Sequence, residues 1–389
     1  MTDTRRAAAV PAPARPGDPA GPAEAVRWQT EVRRDDGALD ELAAEWDDLA
    51  ERCATATPFQ AAAWQASWWR QYGRPGRLRV VLVRRGGRLV AATALHRTRG
   101  GVLTALGGGL IDCTDLLLDD RYTDEAAARL AAALPLRRPW QALELREVPP
   151  GSAAHQVYAH WSGRRHQLLD SLCQHLPAVS MERMYDRMPG RTAQKRRAKQ
   201  RKLEAVGVRA ERVEPAAVPA AMGELLRLHA LQWETRGVTP EHTTERFRAH
   251  LAESTAGLAE RGQAVVYRYH LDGELVAVDL LLLGRTFAGL YLYGAHPGLR
   301  ERLDVAGLLF ATGLAEAVAA GVPVISLMRG DEPYKSRWRP DREHNHRLLL
   351  GPRRGAVLLS LRLAAVRGRA ALAPRLREPV RRLRALLRR

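Results

Sequence analysis

The sequence predicts a mixed α/β protein: two similar units in tandem, each with a mixed sheet, followed by a basic helical tail. Three observations predict it. At 389 residues, with 46% apolar and 27% charged residues, the chain can bury two ordinary domain cores. Runs of period-two alternation are interleaved with runs of helical spacing along both halves. The order helices, hairpin, helix, strand occurs twice, and Gly87-Arg-Leu-Val-Ala91 recurs as Gly273-Glu-Leu-Val-Ala277, 186 residues further on. The expected division is a disordered leader at 1–25, a first unit at 26–178, a second at 179–352 and the tail at 353–389.

In the leader, apolar residues are mostly alanine and prolines interrupt every helical run, which excludes the apolar core of a signal peptide. Helical spacing begins at Leu39–Glu51 and again at about Gln60–Tyr72. The run LRVVLVRRGGRLVAATAL then alternates around Gly86-Gly87, the mark of a hairpin. Strands are expected at 102–106, 113–118 and 141–147, with an alanine-rich helix at Asp124–Leu134. The second unit is expected to have helices near 192–205, 215–235 and 242–261. The hairpin QAVVYRYHLDGELVAVDLLLL and a strand at 286–294 come next, then a helix at Val305–Ala320 and the strand VPVISLM.

Composition narrows the function. Cys53, Cys113 and Cys173 are odd in number and far apart, so neither a disulfide framework nor a zinc site is suggested, and a reducing cytoplasm fits best. No apolar run approaches the roughly 20 residues of a membrane span. The net charge of +18 is uneven: residues 353–389 hold twelve arginines against one glutamate, and the rest of the chain is only mildly basic. Val380, Leu383 and Leu387 lie three and four apart among those arginines, the pattern of a helix suited to an anionic membrane surface. RNA, a polyanionic polysaccharide or no partner at all would leave the same pattern. No Ser-His-Asp arrangement occurs, and no metal ligands cluster.

The densest chemistry lies just past VPVISLM, in Ser326-Leu-Met-Arg-Gly-Asp-Glu-Pro-Tyr-Lys-Ser-Arg-Trp338. Charges crowded at the end of a core strand mark the usual place for a site in α/β proteins. Asp279 interrupts the apolar run Val276–Leu283, where an unpaired charge is costly, and so should face a partner or a cleft. Tyr291 and Tyr293 should share one face by period-two alternation, and His229, Trp233 and Arg236 one helix face. Both groups fit packing as readily as substrate contact. The run Arg191–Lys202 carries seven positive charges and no acid, which fits a solvated basic face as well as a grip on phosphate of a donor or of a nucleotide-linked acceptor.

The pattern Arg-Gly-Asp-Glu-x-Tyr-Lys-x-Arg-Trp at Arg329–Trp338 resembles that of the GNAT-related acetyltransferases of the BioF-type or CelD-like group. Pro58-Phe-Gln60 with Trp64, Trp68-Trp69 and Tyr72-Gly73 match as well, as do Arg196-Arg197 to Leu203-Glu204 and Trp233 with Arg236-Gly237. The resemblance spans roughly 58–340. It implies two tandem GNAT folds related to the Fem peptidyltransferases, and an acyltransferase that moves an acetyl or longer acyl group from acyl-CoA, without a metal, to an amine or hydroxyl. The acceptor would be a small molecule or an envelope precursor in cell-envelope, polysaccharide or secondary metabolism, met in the cytoplasm or at the inner membrane face. Two alternatives stay open: an aminoacyl-tRNA donor, as in Fem proteins, and a non-catalytic basic protein binding anionic lipid or RNA.

Within that resemblance Asp331, Glu332 and Tyr334 are the candidate catalytic residues: Asp331 as base or substrate orienter, Tyr334 as donor to a leaving thiolate. Lys335, Arg337, Trp338, Asp279, Tyr291, Tyr293 and Trp233 are the candidate substrate contacts. For the donor's pyrophosphate the expectation falls on Arg300, Arg302 and Gly307, at the start of the helix that follows Asp304. The usual GNAT phosphate signature, Gln/Arg-x-x-Gly-x-Gly/Ala, is not matched there.

Overall fold

Two dipeptides with left-handed backbone set the two principal hairpins. Gly86 and Gly87 have φ of 57° and 81°, and Asp272 and Gly273 have 54° and 83°, the paired positive values of a tight two-residue turn. They join β2 (Leu78–Arg85) to β3 (Arg88–Arg97) and β9 (Ala264–Leu271) to β10 (Glu274–Leu283). The computed structural model describes residues 26–234, 239–299 and 303–386, with side chains up to 372. The leader at 1–25, Arg236-Gly237, Arg300, Arg302 and the last three residues lie outside the described residues.

Around the first hairpin stand β1 (Trp28–Arg33), α1 (Ala38–Glu41), α2 (Ala43–Glu51), α3 (Ala62–Tyr72), β4 (Val102–Ala105), β5 (Leu117–Leu118), α4 (Thr123–Ala133), β6 (Ala142–Val148), α5 (Ala153–His160) and β7 (Arg164–Pro177). Around the second stand α6 (Met181–Asp186), α7 (Gly190–Val206), β8 (Arg209–Arg212), α8 (Val218–Trp233), α9 (Glu245–Glu260), β11 (Phe287–Ala295), α10 (Val305–Ala319), β12 (Val324–Arg329) and β13 (Asp341–Gly351). The chain continues as α11 (Val357–Leu386). Among the described residues no helix is long and apolar enough to cross a membrane.

Thirteen strands of the described residues form one mixed sheet, in the order β1-β2-β3-β4-β6-β13-β7-β12-β11-β10-β9-β8, with β5 paired to β3. The order reads as two equivalent halves meeting head to head. Each half contains one parallel pair, β4 with β6 and β11 with β12, preceded in each case by the hairpin. The last strand of each half crosses over: β7 pairs with β12, β13 pairs with β6, and the two crossed strands pair antiparallel at the centre. β6 and β12 each carry a left-handed residue, Glu147 (φ 55°) and Met328 (φ 61°), where their ladders slip. A strained conformation kept at equivalent places in both halves supports their origin as a repeat.

The halves also share core. Phe59, Trp64 and Ile111 from the first half pack with Leu225, Phe247 and Leu280 from the second. Close approach is built in: a Cβ at Gly257 would lie 2.8 Å from that of Ala63, and one at Gly294 would lie 2.2 Å from the Leu225 carbonyl oxygen. Glycine at 294 thus lets α8 lie directly on β11.

Candidate functional site

β11 and β12 pair only over Phe287–Gly289 and Val324–Ser326, then separate. A register shift on the other edge of β11, where Leu280 faces Leu292 but Leu281 faces Leu290, makes Tyr291 an extra, bulged residue. A cavity of about 840 Å³ fills the opening. Its walls are Leu290–Tyr293 of β11, Leu327–Arg329 of β12, the residues 303–306 entering α10, and Lys199, Lys202 and Leu203 of α7. His229 and Trp233 of α8, residues 332–335 with Arg337, and Asp112 from the first half complete it.

The bulge corrects one expectation. Tyr291 and Tyr293 do not share a face, because the extra residue resets the alternation. Tyr291 packs with Phe59 and Trp64 and donates its hydroxyl to the Leu110 carbonyl at 2.7 Å, whereas Tyr293 packs with Leu303, Val305 and Leu309 near α10. Burial pushes the Tyr291 phenol well up.

At the α10 end, Asp304 is the N-cap. Its carboxylate accepts the Gly307 N–H at 3.3 Å and pairs with Arg196 at 3.2 Å and Lys199 at 3.7 Å. The Gly307 amide, expected to approach the donor, is therefore already engaged, and Gly307 lies outside the cavity wall. The cations placed at this end are Lys199 and Lys202 of the basic run.

The segment after β12 is held from below by a buried network spanning the two halves. Arg329 Nε pairs with Asp112, its Nη1 meets Glu147 at 3.3 Å, and its Nη2 donates to the Gly109 carbonyl at 2.9 Å. Burial works against this guanidinium, but Asp112 and Glu147 outweigh it and hold its pKa above the ordinary value. Asn345 of β13 donates to the Asp112 carbonyl at 2.9 Å and to Glu147 at 3.3 Å.

Above the network the candidate residues separate. Lys335 is 2% exposed; its ammonium donates to the Arg329 carbonyl at 2.5 Å and pairs with Glu332 at 2.8 Å, so it ties the loop down while lining the cavity. Glu332, Tyr334 and Arg337 line the cavity. Asp331 does not: it is exposed and pairs with Arg342 at 3.0 Å. Trp338 is buried, stacked on Phe310 at 4.0 Å, and lines a smaller chamber with Asp279. Burial, with Tyr293 and Glu332 nearby, raises the Tyr334 phenol far above its ordinary range, so at neutral pH it keeps its proton and can donate a hydrogen bond.

The sequence does not single out Asp112 or Arg329 as site residues, offers the two α7 lysines only as part of a basic run that could grip phosphate, and presents His229 only as one face of a helix. Asp112 and Arg329 meet across 217 residues, beyond any local pattern, whereas the lysines were visible in the run Arg191–Lys202. His229 Nδ1 faces the Tyr293 carbonyl at 2.8 Å and Nε2 faces His242 at 3.2 Å; burial lowers its pKa and keeps the ring neutral. Of the flanking motifs, Phe59, Trp64, Trp68 and Trp69 are core, and Gln60 donates to the Cys113 carbonyl. Asp115 caps α5 through the Ala153 and Ala154 amides.

Residues 190–336 match the family model described as Acetyltransferase (GNAT) domain. Among solved structures the chain is similar to FemX at 12% identity and a TM-score of 0.57, over 83% of this chain and 98% of that one. It is also similar to the C-terminal domain of a lysylphosphatidylglycerol synthetase from Agrobacterium fabrum, at 15% identity and a TM-score of 0.52, over 84% and 96%. L-PGS from Bacillus licheniformis follows at 11% identity and a TM-score of 0.51, over 85% and 97%. No curated protein matches the chain significantly. At these identities the likenesses show the fold. With the repeat described above, that fold is two GNAT-like units in tandem, and the match to the acetyltransferase (GNAT) domain model falls in the second.

Proposed function

Taking the acetyltransferase domain at 190–336 as the premise, we propose that the chain transfers an acyl group from a coenzyme A thioester to an amine or hydroxyl acceptor, in the cavity between β11 and β12. The observation that carries this reading is the parting of two parallel strands beside a bulge, which opens a cavity large enough for a pantetheine arm between backbone edges. Lys199 and Lys202 supply positive charge for the donor's phosphates in place of the engaged Gly307 amide. For an amine acceptor, its nitrogen attacks the thioester carbon, the N–C bond forms and the C–S bond breaks. The proton lost by nitrogen passes to Glu332, and the departing sulfur is met by the Tyr334 hydroxyl. Asp331 has no step here, being outside the cavity. Lys335 and Arg329 act through position, by fixing the loop that presents Glu332 and Tyr334.

A second reading keeps the chemistry and changes the carrier. The seven cations of 191–202 run along the helix that contributes Lys199, Lys202 and Leu203 to the cavity wall, which favours a tRNA-linked donor as much as coenzyme A. The acceptor is proposed to be a small molecule or envelope precursor, with the arginine-rich tail resting on anionic lipid beside it. The test is acyl transfer by the full chain from acetyl-CoA and longer acyl-CoAs, with thermal stabilisation by coenzyme A measured alongside. We expect stabilisation that falls at least about fivefold in affinity when Lys199 and Lys202 are replaced by alanine. Stabilisation by aminoacyl-tRNA alone selects the second reading, and no response to either donor contradicts both.

A further inference from the structure

Asp279 stands on β10, 6% exposed, in a strand whose other residues between Val276 and Leu283 are apolar. Its Oδ2 accepts from the Tyr269 hydroxyl at 3.2 Å, while Oδ1 has no hydrogen-bond partner among the described residues. A carboxylate oxygen left so deep without a donor is costly, and such groups persist where something binds them. Asp279 also lines a chamber of about 50 Å³, with room for only a few heavy atoms. Leu290, Leu292, Tyr293, Ala306, Leu327 and Tyr334 wall both this chamber and the large cavity, so the two adjoin at the parting of β11 and β12. The remaining wall is apolar apart from Asp279 and the two tyrosines.

We infer that the chamber is the acyl subsite, and that Asp279 selects acyl groups carrying a hydrogen-bond donor, amino or hydroxyl, on the carbon next to the carbonyl. The inference rests on the transferase reading and deepens it from an unspecified acyl group to an aminoacyl or hydroxyacyl one. A plain acetyl or propionyl group in the chamber would leave Oδ1 as it is; an N–H or O–H at that carbon would satisfy it. Burial pushes Asp279 up to about 7, which keeps it able to pair with an ammonium or to exchange hydrogen bonds with a hydroxyl.

Three amides of one shape test this: alaninamide, lactamide and isobutyramide differ only in NH2, OH or CH3 on that carbon. Their binding to the full chain is measured by ligand-observed NMR, with Asp279→Ala and the isosteric Asp279→Asn beside it. We expect alaninamide or lactamide to bind at least about tenfold tighter than isobutyramide, the better of the two identifying the class. The preference should vanish in Asp279→Ala, and alaninamide should weaken about tenfold in Asp279→Asn, which keeps the shape without the charge. Equal binding of the three, binding of none, or a preference that survives Asp279→Ala overturns the inference. Coenzyme A stabilisation of the same samples separates the failures: if it persists, only the acyl selectivity is wrong, and if it is also absent the transferase reading falls with it.

Discussion

The two halves have the same parallel pair of strands and use it oppositely. In the second, β11 and β12 part around a cavity of about 840 Å³. In the first, β4 and β6 are paired at Val102–Thr104 and Ala142–Glu144, but residues 106–122 fold across the opening. Thr114 donates to the Glu147 carbonyl at 2.8 Å, Ile111 and Cys113 join the core against Trp64, and β5 pairs with β3. The space left there is about 10 Å³, room for roughly a single water and far too little for a substrate. In the second half only nine residues, 296–304, separate β11 from α10 in the sequence. The contrast extends to single positions: by the hairpin repeat, Asp279 on β10 corresponds to Thr93 on β3, which lines the filled space. One half thus holds most of the candidate cavity and the other supports it, adding Asp112 to its wall and to Arg329, and lending the Leu110 carbonyl to Tyr291.

Breaking the support has the largest expected effect. Arg329→Met leaves Asp112 buried without its cation and Glu147 with only the more distant Arg146, at 3.6 Å, and should cost about 3–5 kcal/mol by chemical denaturation. A change below about 1 kcal/mol would show that the network does not join the halves. Filling against opening is probed next by Ile111→Ala, in the packed first half. It should cost about 2–4 kcal/mol in stability yet leave coenzyme A affinity within about twofold. A loss of affinity parallel to the loss of stability would extend the first half's share of the site from Asp112 to its packed core.

Asp279 adds a pH dependence that Thr93 cannot. Its folded pKa, about 7, lies above the ordinary carboxylate value, so the folded state favours the protonated form. The associated stability is fully present below about pH 4 and is lost as pH rises toward 7, on the order of 3 kcal/mol. Asp279→Asn should gain in melting temperature relative to the parent over that interval. Parallel profiles would mean that the carboxylate is ionised throughout. The smallest effect is expected from the tail: removing residues 373–389 should change stability by less than about 0.5 kcal/mol. It should abolish sedimentation with phosphatidylglycerol vesicles at low salt, and sedimentation that survives the truncation would place the lipid contact elsewhere.

Much of this contrast was legible in the sequence, and the rest was hidden for physical reasons. Gly86-Gly87 and Asp272-Gly273 announce their hairpins because few other dipeptides accept two positive φ values, and the apolar runs around them mark the strands. β7 and β13, at the centre of the sheet, were not foreseen. Their sequences are polar, and their charges are met by neighbours across the sheet, as Arg347 is by Asp170 at 2.9 Å and by Glu144 at 3.3 Å, so no period-two apolar pattern betrays them. The opposite facing of Tyr291 and Tyr293 depends on one bulged residue, which alternation cannot see. The segment at Arg329–Trp338 was conspicuous from its charges, but its division into cavity wall, clamp and exposed acid depends on Asp112, Glu147 and Arg342.

The most direct test of a working second half on a supporting first half is amide hydrogen exchange of the full chain with and without acetyl-CoA. The account predicts new protection at 287–295 and 324–335 and none at 102–106 or 142–148. Protection confined to the first half, or shared equally by the two strand pairs, would contradict it.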